Sequence, residues 1–298
     1  MPAIAFIGLG NMGSGMTANL LKAGHLVRGF DVSEAAMARA CEQGVTRAAS
    51  VTTAVAGADA VITMLQTGQQ VREVYDDEVF AAAPREAVLI DCSTIDVATA
   101  RHVGGAAAEH GREMVDAPVS GGVAGAIAGT LTFMVGGPQR GFAKARPILA
   151  TMGKVVIHAG PAGAGQAAKI CNNMLLGASM IATAEAFNMA IKLGLDPQIF
   201  FDISSKASGQ CWSMTSYCPV PGPVPSAPSN RHYEGGFMSA LMLKDLKLAL
   251  EAAQAVGASV PMGALAENLY QNFVNLGGAG KDFSAIIKLL NGSWREPE

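Results

Sequence analysis

The sequence predicts an α/β protein in two parts: a mainly parallel sheet domain over residues 1–162, followed by an all-helical domain over 163–298. Three observations predict it. Short apolar, β-branched runs alternate with helical patterns as far as His158, the pattern of strands joined by helical crossovers. The strand signal then stops after Gly160-Pro161, and only helical periodicity follows. Finally, 298 residues with 50% hydrophobic and 15% charged side chains are enough to fill two modest cores.

In chain order, the expected strands are Ile4–Ile7, Leu26–Phe30, Ala60–Leu65, Val88–Asp91, Met114–Ala117, Leu131–Val135 and Lys154–His158. Helical patterns lie between several of them, at Asn11–Ala23, Ser33–Glu42, Asp96–His110 and Arg140–Met152. Near-continuous apolar strands suit a sheet covered on both faces. Beyond it, a long helix is expected from about Gly165 to Leu193, closed by Gly194. Further helices are expected at Pro197–Lys206, Met238–Val256, Pro261–Leu276 and Asp282–Leu290, with Gly257 and Gly277 at C-cap positions and Asp282 at an N-cap. The stretch Ala207–Asn230 has no charged residue and five prolines, so it cannot be helical throughout; Trp212, Tyr217 and Val220 mark it as a packed loop.

Composition removes several classes of function. A net charge of -3 without any basic cluster excludes a phosphate-tracking surface, so no nucleic-acid partner is expected. The five cysteines are scattered, with no C-x-x-C pair and no histidine at ligand spacing, which reads as reduced thiols in a cytoplasmic protein without a metal. The first strand is expected to begin at Ala3, so no leader is expected. The most apolar helical run, Ile170–Ala184, is shorter than the roughly 20 residues of a membrane span and contains Asn172 and Asn173, so no membrane is expected.

The opening segment carries the first chemistry. Gly8-Leu9-Gly10-Asn11-Met12-Gly13 follows an apolar strand and opens a helix, matching the G-x-G-x-x-G fingerprint of a Rossmann-type dinucleotide site. Gly8 permits the tight turn, Gly10 the approach of a pyrophosphate, and Gly13 the close packing of helix on strand. Helix N-terminal N–H groups then face the anion. Asp31 ends the second strand, 23 residues beyond Gly8, where a carboxylate accepts from the adenosine ribose and repels a 2′-phosphate; NAD is expected over NADP. Arg28 is nearby, but strand alternation aims it to the opposite face.

Three later segments combine polar groups with turns. Asp116-Ala-Pro-Val-Ser120-Gly121-Gly122 ends a strand in a turn whose N–H groups suit a carboxylate, although an ordinary strand-to-helix turn reads the same way. In Gly165-Gln166-Ala-Ala-Lys169-Ile-Cys-Asn172-Asn173, helical spacing puts Gln166, Lys169 and Asn173 on one face of an otherwise apolar helix. A lysine there either snorkels to solvent or, desolvated, exchanges protons near neutrality. Lys244-Asp245 opens a later helix and would serve equally as a solvated face.

Together these segments resemble the β-hydroxyacid dehydrogenase family, along nearly the whole chain. The likeness extends through Asp91-Cys-Ser-Thr94, Gly129–Met134, Gly235-Gly-Phe237 and Lys281-Asp-Phe-Ser284. It implies cofactor contacts at Gly8 to Gly13, Asp31, Met64, Leu65, Thr94 and Lys244, and substrate contacts at Ser120, Gly121, Gly122 and Asn173. It further implies that Lys169 is the catalytic acid–base, that the substrate is a small hydroxy acid, and that the chain forms a homodimer or homotetramer. The nearest branch oxidises 3-hydroxyisobutyrate with NAD in valine breakdown. Reduction of tartronate or succinate semialdehyde, oxidation of another 3-hydroxy acid such as serine, and a catalytically silent NAD-binding module are the other readings. The chain departs from close members at Gln66, Cys218 and Val220, where they carry Pro, Asn and Trp.

Overall fold

The computed structural model describes residues 2–295 and divides into two compact units, one ending at Lys169 and the other beginning at Ile170. Among the described residues of the first unit, nine strands form one sheet. They are β1 (Ala3–Ile7), β2 (Leu26–Phe30), β3 (Thr46–Arg47), β4 (Ala60–Thr63), β5 (Val88–Asp91), β6 (Glu113–Asp116), β7 (Val119–Ser120), β8 (Leu131–Gly136) and β9 (Gly153–Gly160). The order β3-β2-β1-β4-β5-β6-β8-β7, with β9 on β8, contains the 3-2-1-4-5-6 arrangement of a doubly wound dinucleotide fold. β6 and β7 each pair antiparallel with β8, and the other pairings are parallel.

Alternation along the strands fills a core on each face. Ile4, Phe6, Ile62 and Ile90 join one cluster with Leu9, Met16 and Phe133; Ala5, Ile7, Val61 and Leu89 join the other with Tyr75 and Phe80. Each large apolar side chain buried this way contributes about 1.5–3 kcal/mol before conformational entropy is set against it. The register also aligns the strand ends. Ile7 pairs with Phe30 and Thr63, Thr63 with Asp91, and Asp91 with Asp116. The segments after these residues therefore leave the sheet along one carboxyl edge, with the switch point between β1 and β4.

The expected strands lie where the sequence placed them, within a residue or two. The two-residue strands β3 and β7 are additions, as are helices at Val51–Val55, Gly68–Glu73 and Gly122–Ala128. The last of these is rich in glycine and alanine and holds its shape through packing. Asn19, on the helix Asn11–Lys22, donates to the Ala126 carbonyl at 2.7 Å, and a Cβ on Gly15 would lie 2.8 Å from the Ala126–Ile127 backbone.

The second unit is helical, with Pro197–Ser204, Ser239–Val256, Pro261–Phe273 and Ile286–Leu290. Gly257 ends its helix in the left-handed conformation, and Asp282 caps through Ser284 N–H. The core is built from Met180, Phe187, Met242, Leu246, Tyr270, Phe273 and Phe283. The proline-rich stretch packs onto it: Ser229 Oγ donates to the carbonyls of Cys218 and Val220, and Tyr233 Oη to that of Pro219. Cys218 and Val220 are themselves buried core residues.

One helix runs unbroken from Ala164 to Lys192, through the division between the units. At 29 residues with a mean hydropathy of 1.4 over its most apolar window, it is long and apolar enough to cross a membrane by length and composition. The sequence argument from the length of Ile170–Ala184 therefore does not hold for the helix as it forms. The helix does carry buried Gln166, Lys169 and Asn173 in its first three turns; Gln166 donates to the Ser93 carbonyl and Asn173 to the Asp245 carboxylate.

Candidate active site

The turn after β1 is arranged around backbone donors. Gly8 N–H donates to the Phe30 carbonyl at 2.9 Å, which ties the turn to the end of β2. Gly10 is the N-cap of Asn11–Lys22 and has no side-chain cap, so the first N–H groups of that helix keep their capacity for an acceptor. A Cβ added to Gly10 would meet nothing within 4 Å, whereas one on Gly13 would lie 2.1 Å from the Gly8 carbonyl oxygen. Open space at Gly10 and close packing at Gly13 suit a pyrophosphate at the helix start. Asn11 is exposed there, Met12 packs on one sheet core, and Leu9 is fully buried.

Asp31 performs a task beyond the one expected from its position. Its Oδ2 accepts from Leu9 N–H at 2.6 Å and its Oδ1 from Ser33 N–H at 2.7 Å, so the carboxylate binds the glycine turn to the end of β2. Each carboxylate oxygen has a further lone pair for a ribose hydroxyl. Arg28 donates to the Ala56 carbonyl.

The next loops along the edge are interlocked. Leu65 N–H donates to Ser93 Oγ at 2.8 Å; Ser93 Oγ and Thr63 Oγ1 donate to Asp91 Oδ1 at 2.6 and 2.8 Å. Asp91 is buried and its Oδ2 has no hydrogen-bond partner among the described residues. Burial raises this carboxyl to about 6, against the hydrogen bonds from Ser93 and Thr63. Met64 and Leu65 are partly buried, Met64 against one sheet core and Leu65 against the other, and Thr94 is half-buried.

After β6, Ser120 pairs with Thr132 of β8, while Gly121 (φ +130°) and Gly122 (φ +62°) take conformations that favour glycine. They lead into Gly122–Ala128, which rests on the fingerprint helix through Gly15 and Asn19. The substrate turn implied by the resemblance is thus braced by the same helix that presents Gly10.

The start of the long helix is held by distant residues. Gly163 N–H donates to Asp116 Oδ1 at 2.7 Å and Gln166 N–H to Asp116 Oδ2 at 2.9 Å. Burial raises the Asp116 carboxyl, and these backbone donors oppose the rise. Gln166 is fully buried; its Nε2 donates to the Ser93 carbonyl at 2.7 Å and its Oε1 accepts from Ile95 N–H at 3.1 Å. One turn further on, Lys169 is buried at 7% exposure. Another turn on, in the second unit, Asn173 Nδ2 donates to buried Asp245 Oδ2 at 2.5 Å, and its Oδ1 accepts from Asn172. Lys244 lies 3.4 Å from Asp245 Oδ1.

The carboxyl edge of the first unit therefore brings together Gly8–Gly13, Asp31, Met64, Leu65, Thr94 and Ser120–Gly122, while the second unit joins Asn173 to the Lys244-Asp245 pair. Sequence reasoning did not find Asp116 and Ser93 as organising groups, and it gave Gln166 a helix face without its partners. Those partners are 50 to 73 residues away in sequence, so no local signal reveals them.

Two family models cover the chain. The model for the NAD binding domain of 6-phosphogluconate dehydrogenase matches residues 3–160, and the one for the NAD-binding region of NADP-dependent 3-hydroxyisobutyrate dehydrogenase matches 163–290. The chain is 52% identical to the 3-hydroxyisobutyrate dehydrogenase of Pseudomonas aeruginosa, over 98% of this chain and 99% of that protein. It is 48% identical to the NAD-dependent L-serine dehydrogenase of the same organism, over 98% of each. The solved structure of Mycobacterium tuberculosis 3-hydroxyisobutyrate dehydrogenase with L-serine superposes with a TM-score of 0.93 at 52% identity, over 97% of this chain and 99% of that one.

Proposed function

Because this chain belongs to the β-hydroxyacid dehydrogenase family, we propose that it is an NAD-dependent oxidoreductase that oxidises 3-hydroxyisobutyrate to its semialdehyde, with Lys169 as the acid–base. The observation that carries the reading is the burial of Lys169 in a helix whose first turn is fastened to the loop bearing Thr94. An ammonium group is seldom buried without a task.

NAD, when bound, supplies the two-electron acceptor for the hydride. Gly10 and the uncapped N–H groups after it hold the pyrophosphate, and Asp31 holds the adenosine ribose and disfavours a 2′-phosphate. By the family resemblance, Ser120, Gly121, Gly122 and Asn173 are assigned to the substrate and Lys244 to the cofactor. Lys169 takes the hydroxyl proton at its Nζ during oxidation and returns it in the reverse direction; one positioned group of this kind is worth about 10²–10⁴ in rate.

L-serine is the second substrate to consider, since a 48% identical relative is an L-serine dehydrogenase and the M. tuberculosis structure holds L-serine. Both molecules are 3-hydroxy acids with a carboxylate two bonds from the carbinol carbon. A role in valine breakdown and a cytoplasmic location complete the reading. Exposed Leu175, Met189, Leu193 and Val256 on the helical elements support self-association as a homodimer or homotetramer.

Initial rates with 3-hydroxyisobutyrate, L-serine, D-glycerate and 4-hydroxybutyrate, each with NAD and NADP, test the proposal. It expects the highest kcat/KM for 3-hydroxyisobutyrate with NAD. No turnover of any of the four would overturn the enzymatic reading, and a preference for serine would move the substrate assignment.

A further inference from the structure

We propose that Gln166, held by Asp116, is a positioning residue that sets Lys169 against the cofactor edge by bracketing Thr94. The proposal rests on the reading of Lys169 as the acid–base. Its observations are separate from that reading and lie wholly within the first unit.

The side-chain amide of Gln166 makes two bonds, and they fall on either side of one residue. Nε2 donates to the carbonyl of Ser93 and Oε1 accepts from the N–H of Ile95. Thr94 sits between them. Both ends of a primary amide are thereby used on backbone, which fixes its orientation and joins the helix to the loop at two points. The backbone of the same residue is fixed as well, since Gln166 N–H and Gly163 N–H donate to the two oxygens of Asp116. A buried carboxylate at the end of β6 thus serves as the cap that this helix lacks locally, with charge-assisted bonds.

The space around the carboxylate is shaped for the arrangement. A Cβ on Gly165 would stand 2.8 Å from Asp116 Oδ2 and 2.3 Å from the Met134 carbonyl oxygen; one on Gly136 would stand 2.5 Å from Asp116 Oδ1. Two glycines on different elements leave room for the same side chain. Lys169 follows Gln166 by three residues, so a shift of the first turn is passed directly to its Cα. A misplacement of about 1 Å at a reacting group is enough to cost up to a hundredfold in rate.

The test is a double-mutant cycle on the full-length protein, with kcat read from steady-state NADH formation and NAD affinity read by fluorescence. Gln166→Met keeps the length of the side chain and removes both bonds. The expected result is a fall in kcat of about tenfold or more, with the dissociation constant for NAD changed less than threefold. In a Lys169→Ala background the same change should cost less than twofold, because the group being positioned is gone. Should Gln166→Met fail to fold, Gln166→Glu, which retains the acceptor for Ile95 N–H and sets a second acceptor against the Ser93 carbonyl, should give a kcat loss of the same selectivity.

Equal losses in the wild-type and Lys169→Ala backgrounds would overturn the proposal and leave Gln166 as a general scaffold residue. A wild-type kcat for Gln166→Met would also overturn it. Wild-type activity in Lys169→Ala alone would instead remove the lysine assignment on which it stands, a result distinct from the other two.

Discussion

Asp31→Ala probes the dual use of one carboxylate. In the structure its oxygens accept from Leu9 N–H and Ser33 N–H, at 2.6 and 2.7 Å, and the proposed function assigns the same carboxylate to the ribose of the dinucleotide. A hydrogen bond to a charged group is worth about 1.5–3 kcal/mol, and Asp31 is only partly buried, so the lower end of that range applies to each bond. Losing the ribose bonds and the restraint on the glycine turn together should weaken NAD binding by about ten- to a hundredfold, at 1.4 kcal/mol per factor of ten. NADP should lose nothing comparable, because the substitution also removes a negative charge facing its 2′-phosphate. The ratio of the two dissociation constants should therefore fall by at least about tenfold. Calorimetric titration of both cofactors measures this directly, with circular dichroism to establish that the variant is folded. A folded Asp31→Ala protein whose NAD affinity stays within twofold of wild type would refute the assignment of this carboxylate to the ribose.

Asp91 should leave a mark on stability against pH. Its carboxyl is raised from 3.8 to about 6 in the folded chain, so the folded state binds the proton more tightly than the unfolded one. The resulting penalty is fully present above pH 6 and is relieved as the pH falls towards 4; a shift of this size corresponds to about 3 kcal/mol. Unfolding by urea at pH 7 and pH 4.5 should show the stability of Asp91→Asn relative to wild type declining as the pH is lowered, and a constant difference would contradict the argument. In the second unit, Asp282 accepts from Tyr217 Oη and Phe237 N–H through Oδ2, and from Ser284 through Oδ1. Asp282→Ala leaves several of these donors without a partner and should cost about 3 kcal/mol or more, against about 1 kcal/mol for Tyr217→Phe. Urea midpoints for the two variants check the order, which the account requires to be Asp282→Ala well below Tyr217→Phe.

Much of the first unit was legible because its signals are local. The fingerprint glycines, the apolar strands and the acid at the end of β2 are each set by a few neighbouring residues, and strand β2 and strand β5 form over the residues read from sequence. What was not legible is held by long-range packing. The strands Thr46–Arg47 and Val119–Ser120 are too short to show a period, and Gly122–Ala128 is a short helix with two glycines that Asn19 and Gly15 support from a distant helix. The same holds at the site. Lys169 stood out as a cation in the apolar first half of a helix, whereas Asp116 read as the start of a turn, and its role as the distant cap of that helix exists only once β6 and residue 163 have come together. Cys218 and Val220 stood out as departures in a loop, and their side chains belong to the helical core.

Lys169 carries the proposed proton transfer. Rapid mixing of Lys169→Ala with NAD and 3-hydroxyisobutyrate, compared with wild type in a single turnover, measures its role without interference from product release. Hydride transfer should be slowed by about a hundredfold or more while NAD still binds with near wild-type affinity. Transfer at the wild-type rate in a variant that has lost this ammonium group would contradict that role.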